Sequence, residues 1–543
     1  MRILNKKVVI GFFALLVCVL ALNFCSQGES YDIVILNGRV MDPYTRTDVF
    51  ANVGLKDGEI ATIVPAGQTL SGEIVIDATD LVVAPGFINI HGHEGVIDKT
   101  MEVSARDGVT TIIGGNCGGA CMTEDAIMSV DKYFDMLDKA GMYSNFATFA
   151  GHSSLRILAG VPDVHTPATK DQLGKILSLL EEDIKAGALG VSFGPFYVPG
   201  TTYDEMMASA EKCADLGGGG SIHVRYGTPF RPKPTDEPLN IQAIREGIQL
   251  GRESGVPMII SHNGGASFGP VQSGMALQIM YTAMEDGVKL ISDVHPYDAF
   301  NTSLSAPVFT PPAFAEQLPE MGAQISDIKV QNSVAIDDKV VMKSLEPFSS
   351  IDQFNSIRNK VLAQEIPDPG IIGHFYPSHM TLTWMQAPFV MIENDGAVDK
   401  DRKTGKLTAH PRIAGSYSKF LGFWVREKGV CDLMTGLSKS STMAAVWLGL
   451  ENKGRVNVGA DADLVLFNPK TVIDKSTYKP DGALTPPEGI PHVIVNGVLV
   501  VHNGELTGNK PGQTIRRTWN LPGRLVNHGI LPGTEIADLI REN

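Results

Sequence analysis

Eight strongly apolar runs in the middle of this 543-residue chain end, nearly every one, in a residue able to do chemistry. They are Gly86–His91, Val109–Cys117, Asn145–His152, Ala188–Phe193, Gly220–His223, Val256–His262, Val288–His295 and Phe389–Asp395. As far as His295 their ends lie 26 to 41 residues apart, which suits a strand followed by a helix, a unit of about 30 residues or more. Runs that are continuously apolar rather than alternating belong to strands covered on both faces. The pattern predicts an α/β fold, a (β/α)8 TIM-like barrel over residues 84–450, with its active site at the C-terminal ends of the strands. The last interval is far too long for one unit. Residues 302–379 or so are therefore expected to be an insertion that acts as a lid or substrate wall.

A different texture flanks the barrel. Tyr31–Gly38 and the Lys56-Asp57-Gly58-Glu59 hairpin signal fall in residues 31–83, and Ala462–Phe467 and His492–Gly504 fall in residues 451–512. Strands this short are marginal alone, so the two ends are expected to pair into one small composite β-sandwich. The tail 513–543, with Arg516, Arg517 and Trp519, carries no motif and is expected to pack on the surface.

The N-terminus reads as an address. Arg2, Lys6 and Lys7 precede the 17-residue uncharged run Val8–Phe24, and Leu22-Asn23-Phe24-Cys25 resembles a lipoprotein cleavage site. Residues 1–25 are expected to be a secretory signal that leaves Cys25 lipidated, the protein being periplasmic or attached to the outer membrane. An uncleaved anchor is the alternative. With 45 Lys+Arg against 60 Asp+Glu the net charge is −15, which speaks against a nucleic-acid partner. The six Cys are too scattered for a disulfide framework.

The run ends converge on metal chemistry. His91 and His93 are two apart on a strand, so both imidazoles face one side. His223 and His262 end the fifth and sixth runs. Cys117 sits in the glycine-rich turn Gly114-Gly-Asn-Cys-Gly-Gly119, where a thiolate would bind zinc; a disulfide with Cys121 is the competing reading. Asp395 is a hard oxygen ligand or a base. Four His, one Cys and one Asp can hold one or two divalent ions and activate a water for hydrolysis of a C–N or C–O bond. His152 hydrogen-bonds either a neighbouring loop or the substrate.

On these residues the chain resembles the amidohydrolase superfamily and, within it, the N-acyl-D-amino-acid deacylases (D-aminoacylases). The similarity runs from about Tyr31 to Gly512 through Ala84–His93, Asp107–Gly118, Gly151–Arg156, Gly194–Gly200, His223–Arg225, His410–Arg412 and Gly459–Val465. The resemblance implies Cys117, His223 and His262 at a tight zinc, and His91, His93 and Asp395 around a second, weaker one. It makes Asp395 the general base and acid; Arg412 and Tyr197 are candidate carboxylate or acyl contacts for a small amide substrate, and His295 or Tyr297 is expected to help the developing oxyanion. Where that family has Lys, Tyr and Ser in its carboxylate pocket, this chain has Gly264, His295, Asn301 and Asn394. The expected activity is therefore zinc-dependent hydrolysis of an N-acyl amino acid. The alternatives are hydrolysis of a cyclic, peptide-like or lipid amide, and a lipoprotein that captures a ligand without catalysis.

Overall fold

The structure, a computed structural model, describes residues 30–524 apart from 94, 96, 124–125, 263–269, 310–317, 320–321, 375–377, 402 and 480. The expected signal segment 1–25, with Cys25, and Gly264 lie outside the described residues.

All eight runs form parallel strands of one barrel. In order they are Phe87–Asn89, Val109–Gly114, Asn145–Thr148 (continued as Ala150–Gly151), Gly190–Phe193, Gly219–Ile222, Met258–Ile260, Leu290–Val294 and Val390–Ile392. Each pairs with the next in parallel register. The eighth meets the first where Gly396 bridges Gly92, and Asp395 N–H donates to His91 O at 3.0 Å. Closure of the barrel thus brings two chemical residues, distant in sequence, side by side.

Why the runs are continuously apolar is visible in the packing. Ile88, Ile90, Ile113, Ala147, Phe149, Leu189, Ile259, Ile291 and Met391 share one buried cluster. The alternate residues Phe87, Ile112, Phe146, Val191, Ile222, Leu290 and Val390 join another with the helical residues. Burying each large side chain contributes roughly 1.5–3 kcal/mol.

The chain ends pair as expected, into a nine-stranded sheet. Leu464–Phe467 runs antiparallel to Val82–Pro85 and stitches the C-terminal strands to the N-terminal ones. Strand Ser30–Asp42 changes parallel partners along its length. Its first half lies on Ser71–Asp77, and Arg39 and Val40 lie on Val82 and Val83. The switch occurs at Asn37 (φ 62°) and Gly38, where a Cβ would stand 2.5 Å from Val83 Cγ2. This break lets the sheet curl over a core of Ile33, Ile35, Val53, Leu55, Leu464 and Ile494. Asp57 (φ 51°) and Gly58 (φ 85°) form the hairpin tip, as a two-residue primed turn requires.

The long segment after the seventh strand is a folded unit. Phe300–Thr302, Ile371–Gly373 and Ile328–Val330 make an antiparallel sheet, and helix Ile351–Leu362 covers a core of Phe309, Val330, Phe348, Phe354 and Ile371. Tyr197, from the loop after the fourth strand, packs against that core. The tail departs from expectation only in part. Leu521 is buried with Trp447 and barrel residues such as Ile259, and Arg517 donates to the carbonyls of Ala188, Leu216 and Gly217. Residues 513–524 therefore lie against the barrel with Arg517 and Leu521 as buried anchors, while Gln513, Thr518, Asn520 and Arg524 stay exposed as a surface tail would.

Candidate metal centre

The strand ends put the polar residues together by strained turns. Cys117 (φ 55°), His262 (φ 49°) and Asp395 (φ 41°) all adopt the left-handed region, which costs a non-glycine residue about 1–3 kcal/mol and clusters at functional sites. Gly92 separates His91 from His93 because a Cβ there would meet Ile112 Cγ2 at 2.6 Å. Gly194 allows the Cys117 turn to approach, since its Cβ would fall 1.9 Å from Cys117 O.

The donor atoms form three overlapping groups. Cys117 Sγ lies 3.3 Å from His91 Nε2 and 3.3 Å from His262 Nε2. His93 Nε2 is 2.9 Å, and His91 Nε2 3.8 Å, from Asp395 Oδ1. His262 Nδ1 is 3.5 Å from Asp395 Oδ2 and 4.0 Å from Glu393 Oε1. Within each group the donors lie within 4.8 Å of one another. His223 stands beside these groups and not in one. Its Nδ1–H donates to Val224 O at 3.0 Å, Phe196 and Tyr197 pack on its ring, and that ring is 4.9 Å from His262.

Electrostatics suits the same chemistry. Burial pushes the His91 and His262 imidazoles well below their ordinary range, so both are neutral, the form that ligates metals. Burial alone would raise the Asp395 carboxyl. Arg412 at 2.8 Å, with His262 and His93, instead holds it well below the carboxylate range. Burial, then the charges of Asp395 and Asp293, push the Cys117 thiol up; a cation in contact reverses that sign. Cys117 and Cys121 are both free, so the alternative disulfide is not formed. Neutral imidazoles, one sulfur and one carboxylate are a donor set that fits a divalent ion of the zinc type.

No family model matches the chain. It is 29% identical over 529 residues to the D-aminoacylase of Alcaligenes xylosoxydans xylosoxydans, covering 91% of this chain and 99% of that one. A solved structure of N-acyl-D-glutamate deacylase from Bordetella bronchiseptica, complexed with zinc and a phosphonate mimic of the tetrahedral intermediate, superposes with a TM-score of 0.76. Its identity is 26%, over 90% of this chain and all of that one. A D-aminoacylase solved in work on its binuclear metal centre gives 0.76 and 25% over the same shares. The chain's homologues are thus D-aminoacylases and N-acyl-D-glutamate deacylases, and its structural neighbours are amidohydrolases of the same kind.

Around the donors, the chain distributes its other expected site residues unevenly. Arg412, expected to hold a substrate, spends Nη1 on Asp395. Tyr197 accepts a hydrogen bond from Thr302 Oγ1 at 3.2 Å, so it links the insertion to the His223 ring. His295 is buried 6.1 Å from the His410 ring. Tyr297 has its hydroxyl engaged by Asp474 (3.0 Å) and Ser476 (2.9 Å), with Lys419 over its ring, which ties the barrel to the C-terminal segment. His152 packs on Phe193, with Nε2 3.5 Å from Glu205, and Glu205 pairs with Arg156 in the interior. Breaking such a buried pair costs about 3–5 kcal/mol, so its contacts there are structural.

Two residues that the sequence did not single out also belong to the surroundings, Asp293 and Glu393, and His410, noted only within a motif, joins them. Asp293 and Glu393 each precede a noted strand-end residue, His295 or Asp395, by two positions. The period-2 alternation of a strand was the signal that could have marked them.

Proposed function

We propose that this chain is a zinc-dependent hydrolase that cleaves the amide bond of an N-acyl amino acid, with a tighter metal position at Cys117 and a weaker one at His93 and Asp395. The observation that carries this reading is the convergence of His91, His93, Cys117, His262 and Asp395 at the barrel mouth. When bound, a divalent ion supplies an activated water at neutral pH and positive charge for the developing oxyanion. Arg412 and His93 hold the Asp395 carboxylate ionised and oriented. Asp395 takes the proton of the attacking water and returns it to the leaving amine. The hydrogen bond from Thr302 to Tyr197, which packs on the His223 ring, supports reading the insertion as a wall of the acyl site.

A second reading, hydrolysis of a cyclic, peptide-like or lipid amide, is favoured by the pairing of two cations. Arg412 is paired through Nη1 with Asp395, and Arg225 lies on both Glu246 oxygens at 2.9–3.1 Å, so a substrate carboxylate would compete with a protein carboxylate for either cation. A panel of paired N-acyl-D- and N-acyl-L-amino acids, cyclic amides and fatty amides decides between them. Fastest amine release from the acyl-D-amino acids supports the main reading, and fastest turnover of an uncharged amide supports the second.

The N-terminal pattern supports export and attachment through Cys25. Wild-type protein is expected in the membrane fraction, and Cys25→Ala in the soluble fraction. Equal partition of the two would remove the lipid anchor from the proposal.

A further inference from the structure

Two carboxylates, Asp293 and Glu393, are fully buried behind the ligand imidazoles. Asp293 Oδ2 lies 3.5 Å from His91 Nδ1, and Glu393 Oε1 lies 4.0 Å from His262 Nδ1. Among the described residues none of these four atoms has a hydrogen-bond partner. The orphaned imidazole nitrogens therefore each face an orphaned carboxylate oxygen, and His262 Nδ1 also has Asp395 Oδ2 at 3.5 Å. On the other edge of each ring the pattern repeats, for both Nε2 atoms lie 3.3 Å from Cys117 Sγ. Asp293 does a second thing: its Oδ1 accepts the His262 backbone N–H at 2.6 Å. One side chain of the seventh strand thus touches the ring of one ligand and the strained backbone of another.

We infer that Asp293 and Glu393 are positioning residues that hold His91 and His262 in the Nδ1–H tautomer. With the proton placed on Nδ1, the lone pair of each ring is on Nε2, and both lone pairs face the Cys117 sulfur. A neutral imidazole has one donor and one acceptor nitrogen, so a carboxylate on one edge dictates a ligating nitrogen on the other. Carboxylate partners of this kind typically alter metal affinity by about 10–100-fold. The inference rests on the metal reading proposed above and adds to it the groups that select which nitrogen binds.

The test is Co2+ binding to the full-length chain, by chelator competition and by the sulfur-to-cobalt absorption band, in wild type, Asp293→Asn, Asp293→Ala and Glu393→Gln. Asn and Gln keep the shape and an acceptor oxygen, so these variants remain informative where Asp293→Ala fails to fold. The expected result is a weakening of Co2+ affinity by about 10-fold or more in Glu393→Gln and Asp293→Ala, with partial rescue in Asp293→Asn. The stoichiometry and the sulfur band should be retained. Unchanged affinity in Asp293→Asn and Glu393→Gln would overturn the inference. So would loss of a whole metal equivalent in Glu393→Gln, which would make that carboxylate a direct ligand. Wild-type protein that takes up no Co2+ would instead overturn the metal reading itself, and the inference with it.

Discussion

Asp395→Asn is expected to lower kcat by about 10²–10⁴, the range supplied by a positioned acid–base group, while zinc stays bound. The reasoning separates two roles of one region. Asp395 contacts His93, His262 and Arg412, but Cys117 Sγ and the two Nε2 atoms meet without it. Asn is isosteric and can still accept from Arg412, so the loss of charge is isolated from a loss of packing. Substrate KM should change little, because the deleted function operates on the proton in flight. Steady-state kinetics with metal analysis on the same sample checks both halves. A kcat within a few-fold of wild type would remove Asp395 as the proton carrier.

Cys117→Ala is expected to remove the tighter metal and, with it, nearly all turnover. Cys117 Sγ lies 3.3 Å from both His91 Nε2 and His262 Nε2, so among the described residues its loss removes the donor that stands between the two imidazoles. Loss of a group that only hydrogen-bonds a ligand costs about 10–100-fold in affinity, and loss of a direct donor should exceed that. The strained φ of 55° at this position makes Ala no easier to place than Cys, so thermal stability of the metal-free protein should change little. Dialysis against a chelator followed by zinc quantitation measures the effect. Wild-type zinc content in Cys117→Ala would place the metal elsewhere.

Much of the fold was legible because its physics is local. Strands buried on both faces write continuous apolar runs, and Ile88, Ile113, Ile259 and Ile291 inside the barrel alternate with Phe87, Ile112, Ile260 and Leu290 outside it. The tail was not legible, because Trp519 and Leu521 are single apolar residues without a period. Their packing against the barrel cluster depends on the path of the chain after the sandwich, which no local pattern encodes. The insertion announced itself only as excess length, its core being assembled from Phe309, Phe348 and Ile371, residues far apart in sequence.

The site divides in the same way. Residues at strand ends stood out, and His91, His93, Cys117, His262 and Asp395 do gather. Asp293 and Glu393 were hidden within apolar runs, one strand period before the residues that drew attention. Arg412 was recognisable as a cation near the site, but its pairing with Asp395 is set by the path of the chain between the eighth strand and the helix that Arg412 opens, which no local pattern encodes. The grouping of Cys117 with His91, and the placing of His223 against Phe196 and Tyr197, likewise depend on three-dimensional packing.

X-ray absorption at the zinc edge on the loaded protein tests the Cys117-centred site most directly. One sulfur neighbour at about 2.3 Å together with nitrogen neighbours at about 2.0–2.1 Å is the expected spectrum, and the sulfur shell should vanish in Cys117→Ala. A wild-type spectrum with nitrogen and oxygen neighbours alone would contradict it.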